Sequence, residues 1–330
     1  MAQHPTAARI IMRRLLTALS CLFVMLGVAA CGSTSAGSGD TASESGITIN
    51  LGALSTDDML PLWAAVQDGA DKAAGLNLNI QTFMSAQDEI TAVTAGKVDA
   101  IMTDMVVPVQ LSASGTPMRA VLRMNTSPAG IVASAQSGIT SLAQLAGVQT
   151  GCSTPTAMEY IYDKALTDAG VPADQIQTQE LKNLSVRLQM LTSGQIKAAV
   201  LPWTLYSMAV QQGATPLLDE QQGGDYSSTL LAFRDQWLTG NANANTAITK
   251  LLSVWDTEVA KIDANPSSYQ ALLAQQAQLP AALATTYQVR QYPKAALPDE
   301  SQFDDVVTWM VSKKYIQSPI AYSDLVWSPK

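Results

Sequence analysis

Two short stretches recur at nearly the same distance along this chain, and that repeat limits the fold more than any other feature. Residues 52–56 parallel residues 151–154 with a shift of 99 positions at the glycine, and residues 95–100 parallel residues 193–198 with a shift of 98. Either match alone is common, because β-α units share glycine stops and small residues. Two matches in one register favour two lobes of like topology, and 330 residues suffice for two domains.

Short apolar runs alternate with helical patterns around the repeat. Strands are predicted at residues 47–53, 76–83, 100–102, 118–124, 148–151, 177–181, 198–201 and 227–233. Helices are predicted at residues 60–74, from a Ser85 capping box to Gly96, and at residues 106–114, 155–170 (with Pro155 in the first turn), 185–192, 245–264, 267–276 and 299–314. This order is typical of α/β lobes, each a mostly parallel sheet flanked by helices, and the helical tail is expected to pack on lobe one.

Residues 1–30 have the organisation of an export signal. Arg9, Arg13 and Arg14 precede an apolar stretch of 14 residues, 15–28, which is too short to span a bilayer as a mature helix. Translation can begin at Met1 or at Met12, since either start leaves a positive segment before the apolar stretch.

The end of the signal resembles a bacterial lipobox, in which cleavage precedes a cysteine that becomes acylated. Residues 28–31 read Val-Ala-Ala-Cys, and residues 32–46 are almost wholly Gly, Ser, Ala, Thr and acidic residues. We predict a signal peptide at 1–30, a lipid on Cys31 and a flexible tether at 31–46. The protein would then be anchored to the extracytoplasmic face of the cell membrane. An ordinary secretory signal with an incidental cysteine is the alternative.

Charge and histidine content exclude several functional classes. Without the three arginines of the signal the chain has 16 basic and 27 acidic residues, a net charge of −11, so nucleic acid and anionic membrane surfaces are poor partners. His4, the single histidine, lies in the signal, which removes Ser-His and Cys-His nucleophile pairs and histidine metal sites. Cys21 leaves with the signal and Cys31 is lipidated, so Cys152 is the one free thiol. We expect no catalysis, metal or cofactor.

The loops at the carboxyl ends of the predicted strands are rich in hydroxyl groups. Ligands of open α/β sheets lie beyond these strand ends, where the first N–H groups of the following helices lack intrahelical partners. For any one of these Ser or Thr residues, capping of its own helix is the simpler explanation. The whole set of hydroxyl residues, facing one cleft, indicates a binding site. The loops are residues 54–60, 84–88, 103–106, 152–156 and 202–204, and their hydroxyl residues include Ser55, Thr56, Ser85, Ser153, Thr154 and Thr156.

Aromatic and sulfur side chains surround the same loops. Trp63, Tyr160 and Trp203 can stack on a flat ligand or simply pack in the core. Cys152 can contact a ligand or be a buried small residue. Methionine side chains are flexible and usually pack in hydrophobic cores, so we expect core positions for the five methionines near these loops: Met59, Met84, Met102, Met105 and Met158.

Acidic residues in and beside these loops set the charge of the predicted cleft. Asp57, Asp58, Asp104 and Glu159 are negative, and the loops contain no Lys or Arg. A bare inorganic anion fits this balance poorly, and an amine-bearing or neutral polar ligand fits it better. Asp58 and Glu159 are expected to point outward.

Three motifs, with the signal, resemble the substrate-binding proteins of nitrate/sulfonate/taurine-type ABC importers. They are residues 57–63 (Asp-Asp-Met-Leu-Pro-Leu-Trp), residues 94–100 (Thr-Ala-Gly-Lys-Val-Asp-Ala) and residues 139–147, which follow the pattern I-x-S-L-x-D-L-x-G except for Gln144. That family also contains proteins similar to the thiamine-pyrimidine synthase. The resemblance covers roughly residues 47–235.

The resemblance implies a type II periplasmic-binding-protein fold that closes around a small ligand and presents it to a permease. The chain departs from the usual pattern at Met59, where a polar residue or histidine is common, and at Trp203-Thr204, where Glu-Pro often follows Leu-Pro. The family's known ligands therefore do not transfer directly. The ligand-binding residues expected from the resemblance and the loops are Ser55, Thr56, Asp57, Met59, Trp63, Ser85, Gln87, Thr103, Asp104, Met105, Cys152, Ser153, Thr154, Thr156 and Trp203.

We therefore predict a monomeric lipoprotein that binds a small organic nitrogen- or sulfur-containing ligand and delivers it to an ABC permease and its ATPase. Lobe one would comprise residues 47–124 and 225–330, and lobe two residues 125–224, with hinges near Asn125 and Gly224. A ligand sensor that signals to a membrane partner is one alternative. The other is an enzyme resembling the pyrimidine synthase, which the export signal and the missing histidine oppose.

Overall fold

The computed structural model describes residues 46–83, 85–126, 128–219 and 226–330. The predicted signal peptide, Cys31, nearly all of the predicted tether, Met84 and the predicted hinge residue Gly224 lie outside the described residues. None of the helices in these ranges combines the length and apolar character needed to cross a membrane.

Within the described ranges, ten strands form two five-stranded sheets. The strands are β1 (Ile47–Leu54), β2 (Leu76–Phe83), β3 (Ala100–Asp104), β4 (Met118–Asn125), β5 (Ala129–Ala133), β6 (Gln149–Cys152), β7 (Gln177–Glu180), β8 (Ala198–Pro202), β9 (Thr215–Leu218) and β10 (Thr229–Arg234). The first sheet has the order β2-β1-β3-β10-β4 and the second the order β7-β6-β8-β5-β9. In the first sheet β10 runs antiparallel to β3 and β4, and in the second β5 runs antiparallel to β8 and β9; the remaining pairs are parallel.

Helices flank both sheets. They are α1 (Leu60–Asp68), α2 (Ala70–Ala73), α3 (Ala86–Thr94), α4 (Val106–Ala113), α5 (Ala157–Asp168), α6 (Leu184–Thr192), α7 (Trp203–Gln211), α8 (Asp235–Gly240), α9 (Ala244–Ala264), α10 (Gln270–Gln276), α11 (Glu300–Ser312) and α12 (Tyr322–Leu325). Short 3₁₀ turns occupy Asp57–Met59, Leu142–Leu145, Ala173–Gln175 and Pro266–Tyr269. We call the first sheet with its helices lobe one and the second lobe two; the predicted two-lobed α/β fold is confirmed.

The sequence repeat marks structurally equivalent positions in the two sheets. Gly52 in β1 pairs with Ile101 in β3, and Gly151 in β6 pairs with Ala199 in β8. A Cβ on Gly151 would lie 2.8 Å from Ile196, and one on Gly52 would lie 3.0 Å from Phe83. Glycine therefore recurs here because both strands are closely covered by neighbouring side chains.

The helical tail packs on lobe one, as predicted. In α9, a stripe of apolar residues at helical spacing is buried in the same cluster as β1 and α1. Trp255, fully buried in that stripe, donates its indole N–H to the carbonyl of Pro293 at 2.9 Å. Each large side chain buried in this way contributes about 1.5–3 kcal/mol. The tail thus completes the core of lobe one rather than forming a separate domain.

Several predicted elements differ in detail. The helix expected at 60–74 is two helices, because Gly69 adopts a left-handed backbone (φ 72°) between α1 and α2. Pro155 is not in the first turn of α5, since Thr156 is extended (φ −148°) and the helix begins at Ala157. The loop expected at 202–204 is the junction of β8 and α7, which follow each other directly. Strands β5 and β9 were not predicted.

Candidate functional site

Asp104, at the carboxyl end of β3, joins the two lobes. Its Oδ1 accepts from the backbone N–H groups of Val106 (2.7 Å) and Val107 (3.2 Å) at the start of α4. Its Oδ2 accepts from the N–H of Ala157 (3.3 Å) at the start of α5 in lobe two. Burial raises the pKa of Asp104, and these three hydrogen bonds act in the opposite direction. One carboxylate thus satisfies the N-termini of two helices that face each other across the seam between the lobes.

Asp57, after β1, is held by the segment that connects α10 to α11. We call residues 277–299 the connecting segment. Asp57 Oδ2 accepts from the hydroxyl of Tyr287 at 2.7 Å and lies 3.6 Å from Arg290 Nη1, while Tyr292 donates to the Asp57 carbonyl at 2.7 Å. Burial raises the pKa of Asp57 to about 6, with Arg290 opposing and Asp58 adding to the rise.

Asp58 is also buried, so the prediction that it points outward is wrong. Asn125 Nδ2 donates to Asp58 Oδ1 at 2.8 Å, and the Thr56 hydroxyl donates to Asp58 Oδ2 at 3.0 Å. These donors explain why a carboxylate can remain inside. Asn125 Oδ1 in turn accepts from Arg290 Nη2 at 2.9 Å. Asn125 ends β4, where the chain leaves lobe one, so this network ties the crossing to the first strand-end loop.

Arg187 of α6 organises the strand ends of lobe two. It is fully buried; its Nη1 donates to the carbonyl of Val200 at 2.7 Å and its Nε to that of Leu181 at 2.9 Å. Its Nη2 donates to the hydroxyl of Ser153. A serine oxygen that accepts from a guanidinium still has its own hydrogen to donate. Ser153 is half-buried at the end of β6 and can offer that hydrogen to a group in the seam.

The neighbouring threonines of lobe two also have local partners. Thr154 donates its backbone N–H to Glu180 Oε2 at 3.1 Å and its hydroxyl to the same oxygen. The Thr156 hydroxyl donates to the Ser153 carbonyl at 2.7 Å. These contacts shape the loop before α5 and leave all three hydroxyl residues half-buried.

A cavity of about 650 Å³ opens beside Trp203, between α7 and the connecting segment. The guanidinium carbon of Arg290 lies 5.6 Å from the centre of the Trp203 ring, and Tyr206 meets that ring edge-on at 5.0 Å. Tyr287 and Asp219 also line the cavity. Aromatic faces with one positive and one negative side chain suit a small organic molecule that carries both apolar and polar groups.

Glu159 of α5 is buried, which corrects the expectation that it points outward. Its carboxylate accepts from the hydroxyl of Tyr315 (2.9 Å) and lies 2.9 Å from Lys313 Nζ. Lys313 also pairs with Asp163 at 2.8 Å, and Asp163 accepts from the indole N–H of Trp309 at 2.8 Å. The cation and the donors explain the inward position, and the network fastens α5 of lobe two to the C-terminal helices.

The remaining predicted site residues are buried in the cores, lie at the ends of β1 and β3, or are exposed on α3 and just before it. Met59, Trp63, Met105 and Cys152 are buried in the cores, and burial raises the pKa of Cys152 to about 12. Thr103 is buried within β3, and Ser55 accepts from Gln278 Nε2 at 3.3 Å. Ser85 and Gln87 are exposed. Ser85 caps α3 by accepting from the Asp88 N–H at 3.1 Å, and Gln87 lines a separate cavity of about 500 Å³ near Tyr315.

Sequence reasoning missed the basic residues of the seam. The strand-end loops contain no Lys or Arg, yet Arg187 arrives from the middle of α6 and Arg290 from the connecting segment. Arg187 lies 98 positions after Glu89, which is the shift of the repeat. The repeat therefore marks residues 89 and 187 as equivalent positions in the two lobes, and this equivalence could have drawn attention to Arg187. Arg290 lies in a segment without periodicity, and no pattern indicates it.

Two like lobes with a polar seam at their strand ends define the periplasmic-binding-protein fold. The structure matches the aliphatic sulphonate binding protein SsuA of Escherichia coli (TM-score 0.71, 17% identity, 86% of this chain and 92% of that chain). It also matches the nitrate-binding protein NrtA of Synechocystis PCC 6803 (0.64, 14%, 83% of each chain) and the Candida albicans CA3427 product, described as having that fold (0.63, 13%, 86% and 97%).

The profile of the NMT1/THI5-like family matches residues 56–284, and the chain belongs to that family. The resemblance predicted from the sequence motifs is thereby confirmed. A search of curated proteins finds no match.

Proposed function

We propose that this protein is an extracytoplasmic solute-binding lipoprotein that captures a small organic nitrogen- or sulfur-containing ligand between its lobes and delivers it to an ABC import permease. Family membership supports this role, as do the structural relatives, which bind aliphatic sulphonates and nitrate. Binding and lobe closure, rather than catalysis, are the proposed activity.

The seam between the lobes is the observation that carries the proposal. Side chains of lobe one contact lobe two there directly: Asp104 accepts from the backbone N–H of Ala157 at the start of α5, and Arg290 lies over the Trp203 ring. Ala157 and Tyr160 of lobe two also share a buried cluster with Met105 of lobe one. Contacts that depend on how close the lobes are can couple ligand binding to a change in lobe separation. The predicted boundaries at 124/125 and 224/225 would then be the hinges.

A ligand screen tests the proposal. Purified protein is heated with sulfonates, amino-sulfonates, pyrimidines, nitrate and ureides, and we expect at least one class to raise the melting temperature. A ligand at about 100 times its Kd adds about 2.7 kcal/mol to the free energy of unfolding. A melting temperature that no class raises would count against solute binding.

The lipid anchor is tested separately, because it rests on the sequence alone. Cells that express the protein are fed labelled palmitate, and we expect label on the wild-type chain and none on Cys31→Ser. Cys152→Ser is the matched control and should keep its label, since that thiol is buried in lobe two. Equal labelling of wild type and Cys31→Ser would contradict the lipoprotein proposal.

A sensor that signals to a membrane partner would share the binding step and differ in what it contacts. Neighbouring permease and ATPase genes would favour import, and a neighbouring membrane kinase gene would favour sensing. Uptake of the bound solute by cells that lack the gene separates the two directly: import predicts that uptake is lost, and sensing predicts that it persists.

A further inference from the structure

Glu89, in the middle of α3, is a buried carboxylate that the proposed function has not used. Its side chain is 2% exposed, and no hydrogen-bond partner reaches its Oε1. Glu89 Cγ lies 3.4 Å from where a Cβ on Gly52 would be, so the side chain runs under β1 two residues before that strand ends. Glu89 is the fourth residue of α3, the helix that follows the carboxyl end of β2, so it lies near the strand-end side of lobe one.

No cation from the elements around Glu89 balances its charge. Helix α3 packs against β1, β2 and β3, in which the charged side chain is Asp104, another acid. It also shares a buried cluster with β4 and β10, whose arginines act on other acids: Arg119 on Asp235, Arg123 on Asp299 and Arg234 on Asp99. Burial raises the pKa of Glu89 well above its usual value, and the charge of Asp104 adds to the rise. A buried acceptor without a donor is costly, and a buried charge without a counter-charge is more so.

Asp104 links this carboxylate to the seam. Its two oxygens already accept the N–H groups at the starts of α4 and α5. Those N–H groups would otherwise suit an anionic ligand. Asp104 occupies them, and its negative charge and that of an ionised Glu89 both oppose an added anion at the starts of these two helices.

We propose that Glu89 and Asp104 form a subsite for a cationic nitrogen, so that the captured solute carries an ammonium, amidinium or guanidinium group. This inference rests on the proposed solute-binding function and names the chemical class of the solute. Such a group supplies the donor that Glu89 Oε1 lacks and offsets the charge of both acids, while other parts of the solute contact the hydroxyls of lobe two or the cavity at Trp203.

The test compares cationic and anionic probes by calorimetry and thermal shift at pH 7.5. Putrescine and agmatine are the cations, and methanesulfonate and nitrate are the anions. We expect a cation to bind, and Glu89→Gln, which keeps the shape of the side chain, to weaken that binding about tenfold or more. Asp88→Asn, which removes an exposed acid from the adjacent position, should leave the affinity within twofold.

The pH dependence gives a second readout. Cation affinity in the wild type should rise with pH as Glu89 ionises, and Glu89→Gln should reduce that rise. Binding of an anionic probe without binding of a cation would overturn the subsite and leave the solute-binding proposal standing. Equal cation affinity of wild type and Glu89→Gln would also overturn the subsite, and failure of every probe would count against both proposals.

Discussion

The two lobes place opposite charges at equivalent positions. Glu89 is the fourth residue of α3 and Arg187 the fourth residue of α6, and each side chain passes beneath the repeated glycine, Gly52 or Gly151. Arg187 is satisfied by carbonyl and hydroxyl oxygens and the Met158 sulfur, whereas Oε1 of Glu89 has no partner. The same backbone therefore gives one lobe a completed network and the other an incomplete one.

The difference follows from what each side chain can do at a strand end. A guanidinium has five donors; the oxygens of Leu181, Val200 and Ser153 accept four hydrogen bonds from it, and the sulfur of Met158 accepts one. A carboxylate only accepts, so carbonyl oxygens cannot satisfy it. An acid at this position of the fold must obtain its donor from elsewhere, which is why the imbalance points to a ligand.

The largest effect is expected from a substitution that breaks the hydrogen-bond network of Arg187 in lobe two. Arg187→Met keeps most of the apolar stem and removes the guanidinium donors from the buried Leu181 and Val200 carbonyls, so we expect the free energy of unfolding to fall by about 3–5 kcal/mol. Urea denaturation measures it, with Lys182→Met, at an exposed neighbouring position, as the control. A loss below about 1 kcal/mol would mean that water enters and replaces the guanidinium.

The next effect concerns Asp57, whose counterpart 99 positions later is the uncharged Thr156. Burial raises the pKa of Asp57 from 3.8 to about 6, so the folded state holds this proton more tightly than the unfolded state. The ionisation of Asp57 should therefore lower the free energy of unfolding by about 3 kcal/mol between pH 4 and 6, after which this residue's contribution levels off.

Urea midpoints from pH 4 to 7 test this difference between the lobes. Asp57→Asn should remove about 3 kcal/mol of the decrease and leave the part that Glu89 and Asp104 contribute, while Thr156→Val, in the matching loop of lobe two, should leave the slope unchanged. The same slope in wild type and Asp57→Asn would mean that another group is responsible.

Glu89→Gln should have the opposite sign to Arg187→Met. In the absence of ligand, the raised pKa of Glu89 means that ionisation destabilises the fold as pH rises, and the neutral amide removes that cost. We expect a gain of about 1–3 kcal/mol at pH 8 and no gain at pH 4. Urea midpoints at both pH values measure it, with Asp88→Asn as the control; a loss at pH 8 would mean that Glu89 has a stabilising partner.

The sequence predicts the layout of both lobes but only part of the seam. Local patterns locate most strands, because apolar runs and glycine stops are local features, and the repeat pairs Gly52 with Gly151. The inward turn of Asp58 was missed because its donor, Asn125, is 67 positions away. Arg290 was missed for the same reason, since its contacts with Asn125 and Trp203 join distant segments.

The smallest expected effect sharpens the comparison at the contact between the lobes. Arg290→Lys keeps the charge near Asp57 but loses the flat stacking on Trp203 and the fixed geometry of the bond to Asn125, so we expect a loss of about 0.5–1 kcal/mol. Arg234→Lys, at an arginine paired with Asp99 within lobe one, is the matched control.

If Arg290 holds the lobes together, only Arg290→Lys should increase the radius of gyration measured by X-ray scattering without ligand. Equal radii for both variants would restrict the role of Arg290 to lobe one, and the contact with Trp203 would then be a consequence of lobe closure rather than a cause.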